Sequence, residues 1–417
     1  MYSIANAPSW NSILLVVSEC LPATKGKTLR ERSEYEQVSD QIFQKMQQVL
    51  GPICLLIVLG LLTAGLWPFN PFPKNNVSWL TDKNGLRFGD KGTIFSSGTF
   101  EIRSNEEPFC SLEIWLQPAL EDVHESVMIL AFYTPDNPLQ FGLKQYRDGL
   151  VVRDYRDEQK RLPTSRIGFE HAFRQAEPIL FTITLGPNGN SAFLNGVWVK
   201  AFSQHSLSCK DFSGHLVIGN SPMTDNAWQG KLFGIAIYNQ ELTPEVVSRH
   251  YTTWTQERVP EGVAKDGVRA LYFFGERSGR IIHNSIGPGP DLCIPKTFKI
   301  LHKRMLAPPW EEFAPRLSYV KDIAINIVGF IPFGFFFCAY LVCNRQWNRA
   351  AVVSVVVGGI ISITIEVLQA FIPSRTSGVT DIITNTLGTT LGVILWRAGA
   401  RRKGVISSSN ERRHAWT

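Results

Sequence analysis

A chain of 417 residues has room for two or three domains, and its hydrophobic fraction of 44% would suit an ordinary soluble protein. The distribution excludes that class: strongly apolar runs stand at 49–69, 323–342, 350–372 and 382–396, with a long stretch of mixed polarity after the first. A net charge of +6 does not imply nucleic acid here, because the basic residues gather beside the apolar runs, where membrane orientation accounts for them.

In chain order, residues 1–48 read as a cytoplasmic N-terminal segment. SILLVVSEC at 12–20 is too short an apolar stretch for a secretory signal and lacks a basic n-region. Residues 49–69 are uncharged and long enough to cross a bilayer, so they read as an uncleaved signal anchor and first transmembrane helix.

Residues 70–300 read as a domain of short strands separated by turn signals. CSLEIWLQ (110–117), SVMILAFY (126–133), ILFTITLG (179–186), SAFLNGVWVKAF (191–202), GHLVIGN (214–220) and KLFGIAIYN (231–239) are the clearest, and several alternate apolar and polar residues. PNGN at 187–190 and LNGV at 194–197 are hairpin-type turns. Many such strands at this spacing imply an all-β sandwich. Asp225 and Asn226 lie in one of its loops, but two oxygens fall short of the six to eight that calcium takes. No Cys/His spacing suggests zinc, and the metal expectation is none.

Residues 301–321 read as a linker, 322–397 as three further transmembrane helices and 398–417 as a basic cytoplasmic tail. Arg345 and Arg349 occupy the loop between the second and third spans, and Arg397, Arg401, Arg402 and Lys403 follow the fourth. Positive residues favour the cytoplasmic side, so both chain ends are expected inside, with Lys25, Lys27, Arg30 and Arg32 in agreement. The expected fold is therefore a four-helix transmembrane bundle plus an extracytoplasmic sandwich. Cys110, Cys209 and Cys293 would then lie where a disulfide persists, and three cysteines allow one bridge whose pair stays open.

The polar residues of the spans are regularly placed. DIAINIVG (322–329) and DIITNTLG (381–388) carry the same acid, amide and glycine spacing, which puts Asp322, Asn326 and Gly329 on one helix face, and Asp381, Asn385, Gly388 and Gly392 on another. Ser362, Glu366 and Gln369 share a face of the third span, and Arg375 follows in the loop PSRTSGVTD. Asp322, Asn326, Glu366, Gln369, Arg375, Asp381 and Asn385 form the candidate functional cluster; Gly329, Gly388 and Gly392 are candidates for close helix packing. The two aspartates suit the first turn of a helix, where they act as caps. Glu366 lies near the C-terminal end of its helix, where a negative charge is disfavoured, so capping does not account for it.

Two resemblances follow from these residues. GHLVIGNSPMTDNAWQGKLFGIAIYNQELTPEVVSRHY (214–251), with Trp228, Gly230 and Tyr238, resembles the end of a laminin-G-like (concanavalin A-like) jelly roll. ALYFFGERSGRIIHNS (270–285) resembles that family's returning strand, expected to pair with the opening strand near 85–88. DIAINIVGFIPFG (322–334) and IEVLQAFIPSRTSGVTDIITNTLGTTLG (365–392) resemble the VanZ-like family of bacterial membrane proteins, with the sandwich inserted between its first and second helices.

The VanZ resemblance implies a bacterial cytoplasmic membrane, an envelope role and a link to glycopeptide or lipopeptide tolerance; the laminin-G resemblance implies binding of glycan or protein. The main expectation is a non-enzymatic membrane protein with a polar site for a lipid headgroup or cell-wall precursor and with no cofactor. Its expected partners are membrane lipids and a glycan or envelope protein, not nucleic acid. The alternative is a membrane enzyme on a phospho- or glycolipid, in which Asp322, Asp381 and Glu366 hold a divalent cation or Glu366 acts as acid and base.

Overall fold

The computed structural model describes residues 29–101, 109–119, 123–154, 166–173, 177–186, 189–202, 207–256, 262–313, 315–343 and 349–402. Cys20, Lys25, Lys27, Arg345 and Lys403 lie outside the described residues. Two compact units emerge: Asn70–Lys303 is one, and the chain up to Phe69 joins the chain from Arg304 onward in the other.

The Asn70–Lys303 unit is a sandwich of two antiparallel sheets, each of eight strands among the described residues. The first runs β1 (Val77–Trp79), β2 (Leu86–Phe88), β13 (Gly230–Tyr238), β4 (Cys110–Pro118), β9 (Ile179–Gly186), β10 (Gly189–Leu194) and β11 (Val197–Phe202), with β14 (Val268–Tyr272) also on β13. The second runs β15 (Ile281–Ile282), β16 (Leu292–Cys293), β3 (Ile94–Ser96), β12 (His215–Ile218), β5 (Val127–Tyr133), β6 (Phe141–Tyr146), β7 (Gly149–Asp154) and β8 (Arg166–Phe169).

The central strands of the first sheet are apolar on both faces because both faces are covered. Ile235 and Ile237 of β13 and Phe181, Ile183 and Leu185 of β9 point into the core shared with the second sheet. Their neighbours Ala236, Tyr238 and Leu180 form a second core with Val247 and Trp254 of helix α2 (Pro244–Gln256). Period-two alternation thus sorts one strand between two cores. Trp228 fills the first core and Tyr238 the second; both are fully enclosed.

The β10–β11 hairpin turns through Asn195 and Gly196, both at positive φ (52° and 80°), as a two-residue loop matching right-handed strand twist requires. Pro187 and Asn188, the tip of the preceding expected turn, lie outside the described residues. The open question of the disulfide is answered by Cys110–Cys209, which ties β4 to the 3-10 turn Cys209–Phe212 and leaves Cys293 free.

One strand pairing differs from expectation. β14 does not pair with β2; each takes a separate stretch of the same edge of β13, β2 opposite Gly230–Leu232 and β14 opposite Ile235–Tyr238. Both are too short to span that nine-residue strand, so they share it end to end. The incoming and outgoing segments of the unit are themselves joined: Lys74 bridges Thr297, Asn75 N–H donates to Lys296 O (3.2 Å), and Phe298 N–H donates to Pro73 O (2.9 Å).

The other unit is helical: α1 (Leu29–Leu66), the single turn α3 (Pro309–Glu312), α4 (Leu317–Cys343), α5 (Ala350–Gln369) and α6 (Val379–Arg402). Three of these, Lys45–Leu66, Leu317–Cys343 and Ala350–Gln369, are long and apolar enough to cross a membrane. α6 is not among them, so length and composition alone do not carry a count of four. Its polarity has a structural reason. Thr384, Asn385 and Thr389 are buried by protein, and the threonines return their hydroxyls to carbonyls one turn back, Thr384 to Thr380 (3.0 Å) and Thr389 to Asn385 (3.1 Å).

α6 packs closely on α4. A Cβ on Gly388 would lie 2.2 Å from Ile327 O, and one on Gly392 would lie 2.1 Å from Ile331 O. Both contacts advance together along the two chains, so α4 and α6 run parallel. Gly329 was expected at this contact, but a Cβ there would meet nothing within 4 Å. Gly334 takes the place instead, its Cβ position 2.0 Å from Thr389 O, because α4 turns Gly329 away from α6.

Candidate polar site in the helical unit

The site is built around the first turn of α6, whose leading N–H groups have no partner within their own helix. Gly378 N–H donates to Glu366 Oε2 (2.8 Å), and Thr380 N–H donates to Glu312 Oε2 (3.0 Å). Two carboxylates from different segments therefore sit at the positive end of the helix, a favourable place for negative charge. Glu366 is fully buried. The expectation that capping could not explain it is corrected: it lies at the unfavourable end of α5, but a connection of nine residues (370–378) brings the next helix's N-terminus to it. A Cβ on Gly378 would fall 1.3 Å from Glu312 Oε1, so any side chain there displaces the Glu312 carboxylate.

The segment before α4 completes this end. Ala307 N–H donates to Ser377 O (3.0 Å), Val379 N–H donates to Ala307 O (2.9 Å), and Leu306 N–H donates to Ser377 Oγ (3.2 Å). Residues 306–312 thus lie as a strap along 377–380.

Gln369 and Arg375 do different work. Gly65 O, in the last turn of α1, accepts from Gln369 Nε2 (2.8 Å), Arg375 Nε (3.1 Å) and Arg375 Nη2 (2.9 Å), and Ala64 O accepts from Nη2 (3.3 Å). A guanidinium on the C-terminal carbonyls of a helix satisfies them and complements the dipole. These two side chains hold α1 in the bundle.

The amides join helices. Asn326 Nδ2 donates to Asp381 Oδ1 (2.8 Å) between α4 and α6, and Asn385 Nδ2 donates to Ser362 Oγ (2.9 Å) between α6 and α5. The two asparagines of the matched octets thus serve different helix pairs, Asn326 joining α4 to the first turn of α6 and Asn385 joining α6 to α5. Asn385 Oδ1 accepts no hydrogen bond, although the residue is only 5% exposed.

Glu366, Gln369, Arg375, Asp381, Asn326 and Asn385 are thus gathered around the ends of α1, α5 and α6. Asp322 is exposed on α4, one turn before Asn326, and near enough for its charge to act on Asp381. Among the described residues no group of three or more His, Cys, Asp or Glu side chains is arranged to hold a metal, so the expected trio of Asp322, Asp381 and Glu366 is not assembled. Sequence reasoning missed Glu312 and Gly378. Glu312 sits in an unremarkable Glu-Glu pair of the presumed linker; the glycine just before Val-Thr-Asp was the available signal.

A second ionisable network lies inside the sandwich and was also missed. Glu113 of β4 is fully enclosed and accepts from Tyr238 OH (2.6 Å), Trp254 Nε1 (3.0 Å) and Thr182 Oγ1 (3.4 Å). His250 Nδ1 lies 3.2 Å from both Glu113 oxygens, and its Nε2 lies 2.9 Å from Asp266 Oδ2, which also binds Arg249 (2.7 Å). Burial alone would push the His250 pKa down; the hydrogen bonds and charges of Glu113 and Asp266 outweigh it and raise the value overall. Burial, then Glu113, pushes the Tyr238 phenol well up. With Glu113 and His250 sealed from solvent, the network fixes α2 to the sheet and meets solvent at its Asp266–Arg249 end. At the rim, Asp225 pairs with the Lys91 ammonium. Lys303 is pushed down to about 8 by burial, with Asp225 opposing the shift.

Residues 275–400 match the family model described as VanZ/LLP1. The match begins in the last strands of the sandwich unit and runs almost through α6. No curated protein matches the chain. Among solved structures, the binding domain of botulinum neurotoxin DC in complex with rat synaptotagmin II is 14% identical over 43% of this chain and 46% of that chain, with a TM-score of 0.34. The binding domain of Paraclostridial Mosquitocidal Protein 1 is 12% identical over 44% and 47%, with a TM-score of 0.35. A native heptameric SAP-like pentraxin from Limulus polyphemus is 13% identical over 44% and 80%, with a TM-score of 0.30. The chain spans about half the length of the two toxin structures, and likeness at these scores carries no conclusion about ligands.

Proposed function

We propose that this chain, whose residues 275–400 match the VanZ/LLP1 family model, is a multi-span protein of the bacterial cytoplasmic membrane that binds an envelope component without transforming it. α1, α4, α5 and α6 form its four-helix bundle. The N- and C-termini face the cytoplasm, and the sandwich lies outside as a binding module for glycan or protein. The polar cluster at the ends of α1, α5 and α6 takes the headgroup of a lipid or cell-wall precursor.

The observation that carries the binding reading is the unpartnered Oδ1 of Asn385, buried one turn below the carboxylate-capped start of α6. A buried acceptor without a partner calls for a donor, which hydroxyl- or amine-bearing headgroups supply. Binding is favoured over catalysis because the neighbouring carboxylates are already engaged: Glu366 with Gly378 N–H, Glu312 with Thr380 N–H, and Asp381 with Asn326. The cysteine bridge within the sandwich supports an oxidising side for that unit.

The test is antibiotic tolerance in cells carrying Asn385→Leu or Glu366→Gln, with membrane insertion confirmed. Loss of glycopeptide or lipopeptide tolerance in both is expected; wild-type tolerance in both would reduce the cluster to packing. Labelling of a cysteine placed at the exposed Ser374, and not at Arg345, from outside the cell is expected for this topology, and the reverse would overturn it.

A further inference from the structure

Most polar groups of the strap before α4 are turned inward or paired, while its aromatic side chains are left bare. Trp310 is 78% exposed, Phe313 67% and Met305 58%, and Leu317 on the first turn of α4 is 85% exposed. Glu311 pairs with Arg304, and Glu312 accepts the Thr380 N–H at the start of α6. The backbone of Leu306 and Ala307 is bonded to Ser377 and Val379. The strap is thereby fastened to the helical unit with its acids engaged, and it presents a tryptophan, a phenylalanine and a methionine to whatever surrounds that unit.

We propose that residues 304–313 seat the protein in the interfacial layer of a phospholipid bilayer, with Trp310 and Phe313 inserted at the boundary of headgroups and acyl chains. The occupant follows from continuity. Beyond the exposed Arg316 the chain enters α4, whose length and composition suit a membrane crossing and along which Leu317, Val320, Ile325 and Val328 are exposed. Amphipathic aromatic rings favour the level where hydrocarbon meets headgroup, because the indole N–H keeps a polar partner while the ring leaves water. At the neighbouring end of α1, Trp67 and Phe69 are likewise exposed, at 66% and 50%, and stack edge to face. Pairing Glu311 and Glu312 within the protein removes the penalty of carrying bare carboxylates towards lipid. The strap thus puts a lipid contact beside the capped first turn of α6 and the Glu366 carboxylate. This inference rests on the membrane-spanning reading above.

The experiment uses the full chain in phosphatidylcholine nanodiscs with a fluorescent amino acid encoded at position 310 or, separately, at Ile360, which is 56% exposed near the middle of α5. Quenching is compared between lipids spin-labelled near the headgroup and lipids labelled near the acyl terminus. For position 310, the shallow label is expected to quench more strongly than the deep one by about twofold or more, with the order reversed at 360. Quenching at 360 with none at 310 overturns the proposal while leaving the spans in place. In that case, protection of position 310 from aqueous iodide as well would point to a second copy or another protein over the strap. Deeper quenching at 310 than near the headgroup also overturns it, and no quenching at either position sinks the membrane-spanning reading itself.

Discussion

Replacement of His250 by phenylalanine probes the sealed network that fastens α2 to the first sheet. Both imidazole nitrogens face carboxylates, Nδ1 towards Glu113 at 3.2 Å and Nε2 towards Asp266 at 2.9 Å, contacts that favour the doubly protonated, positively charged ring. Removing it leaves Asp266 with Arg249, but leaves Glu113 enclosed with only neutral donors from Tyr238, Trp254 and Thr182. Breaking a buried ion pair from one side costs about 3–5 kcal/mol, and the three surviving donors put this case near the lower bound. About 3 kcal/mol corresponds to a rise of roughly 100-fold in the local opening equilibrium of α2. Hydrogen exchange followed by mass spectrometry, on peptides covering Pro244–Gln256 in the full-length protein, reads that opening directly. The pH dependence gives a second readout. Because the folded His250 pKa is raised, its stabilisation is fully present below the unfolded value of about 6.5 and is lost as pH rises through the folded value. Protection of α2, corrected for intrinsic exchange, should therefore decline from about pH 6.5 upward in the wild type and stay level in His250→Phe. A variant that exchanges within about threefold of wild type, or a wild type with flat protection, would show that the ring is neutral and the reasoning wrong.

Three further outcomes are expected. Gly378→Ala should open the start of α6 and raise exchange across residues 377–382, because its Cβ would occupy the position of the Glu312 carboxylate; wild-type exchange there would refute the capped geometry. Arg375→Ala should release the last turn of α1 by about 1.5–3 kcal/mol, the range for hydrogen bonds to charged groups, seen as faster exchange in residues 60–66, with Arg375→Lys recovering part of the loss. Cys110→Ser with Cys209→Ser should lower the sandwich's stability to denaturant by about 4–5 kcal/mol on the chain-entropy view, since the bridge closes a loop between residues 99 positions apart, while Cys293→Ser should change little.

Much of this architecture is legible in the residues because it rests on local pattern. ILFTITLG becomes β9 with those bounds, the Asn195-Gly196 turn closes its hairpin, and the 350–372 run becomes α5. What depends on which segments meet is not legible. Glu366 looked unaccountable because only its own helix was considered; the charge acts on the next helix across a tight connection. Gly329 matched Gly388 in spacing, but α4 places Gly334 at the contact instead. Glu113 sat inside an apolar strand without apparent reason, because its partner His250 is 137 positions away. α6 reads as the weakest span for the same cause: its polar side chains are compatible with a buried helix only once the helices around it are known.

The joining of the segments at Pro73–Asn75 and Lys296–Phe298 has a consequence for how such a chain can change over time. A folded unit whose two ends leave side by side replaces a hairpin turn without stretching the loop it interrupts, so the remaining helices incur almost none of the closure entropy of a long insertion. The sandwich is in this sense a cassette. Its surface can drift, or the whole module be exchanged for another with adjacent ends, while the α1–α4 pairing is left intact. A chimaera that reduces Asn70–Lys303 to a short turn should still assemble its helices.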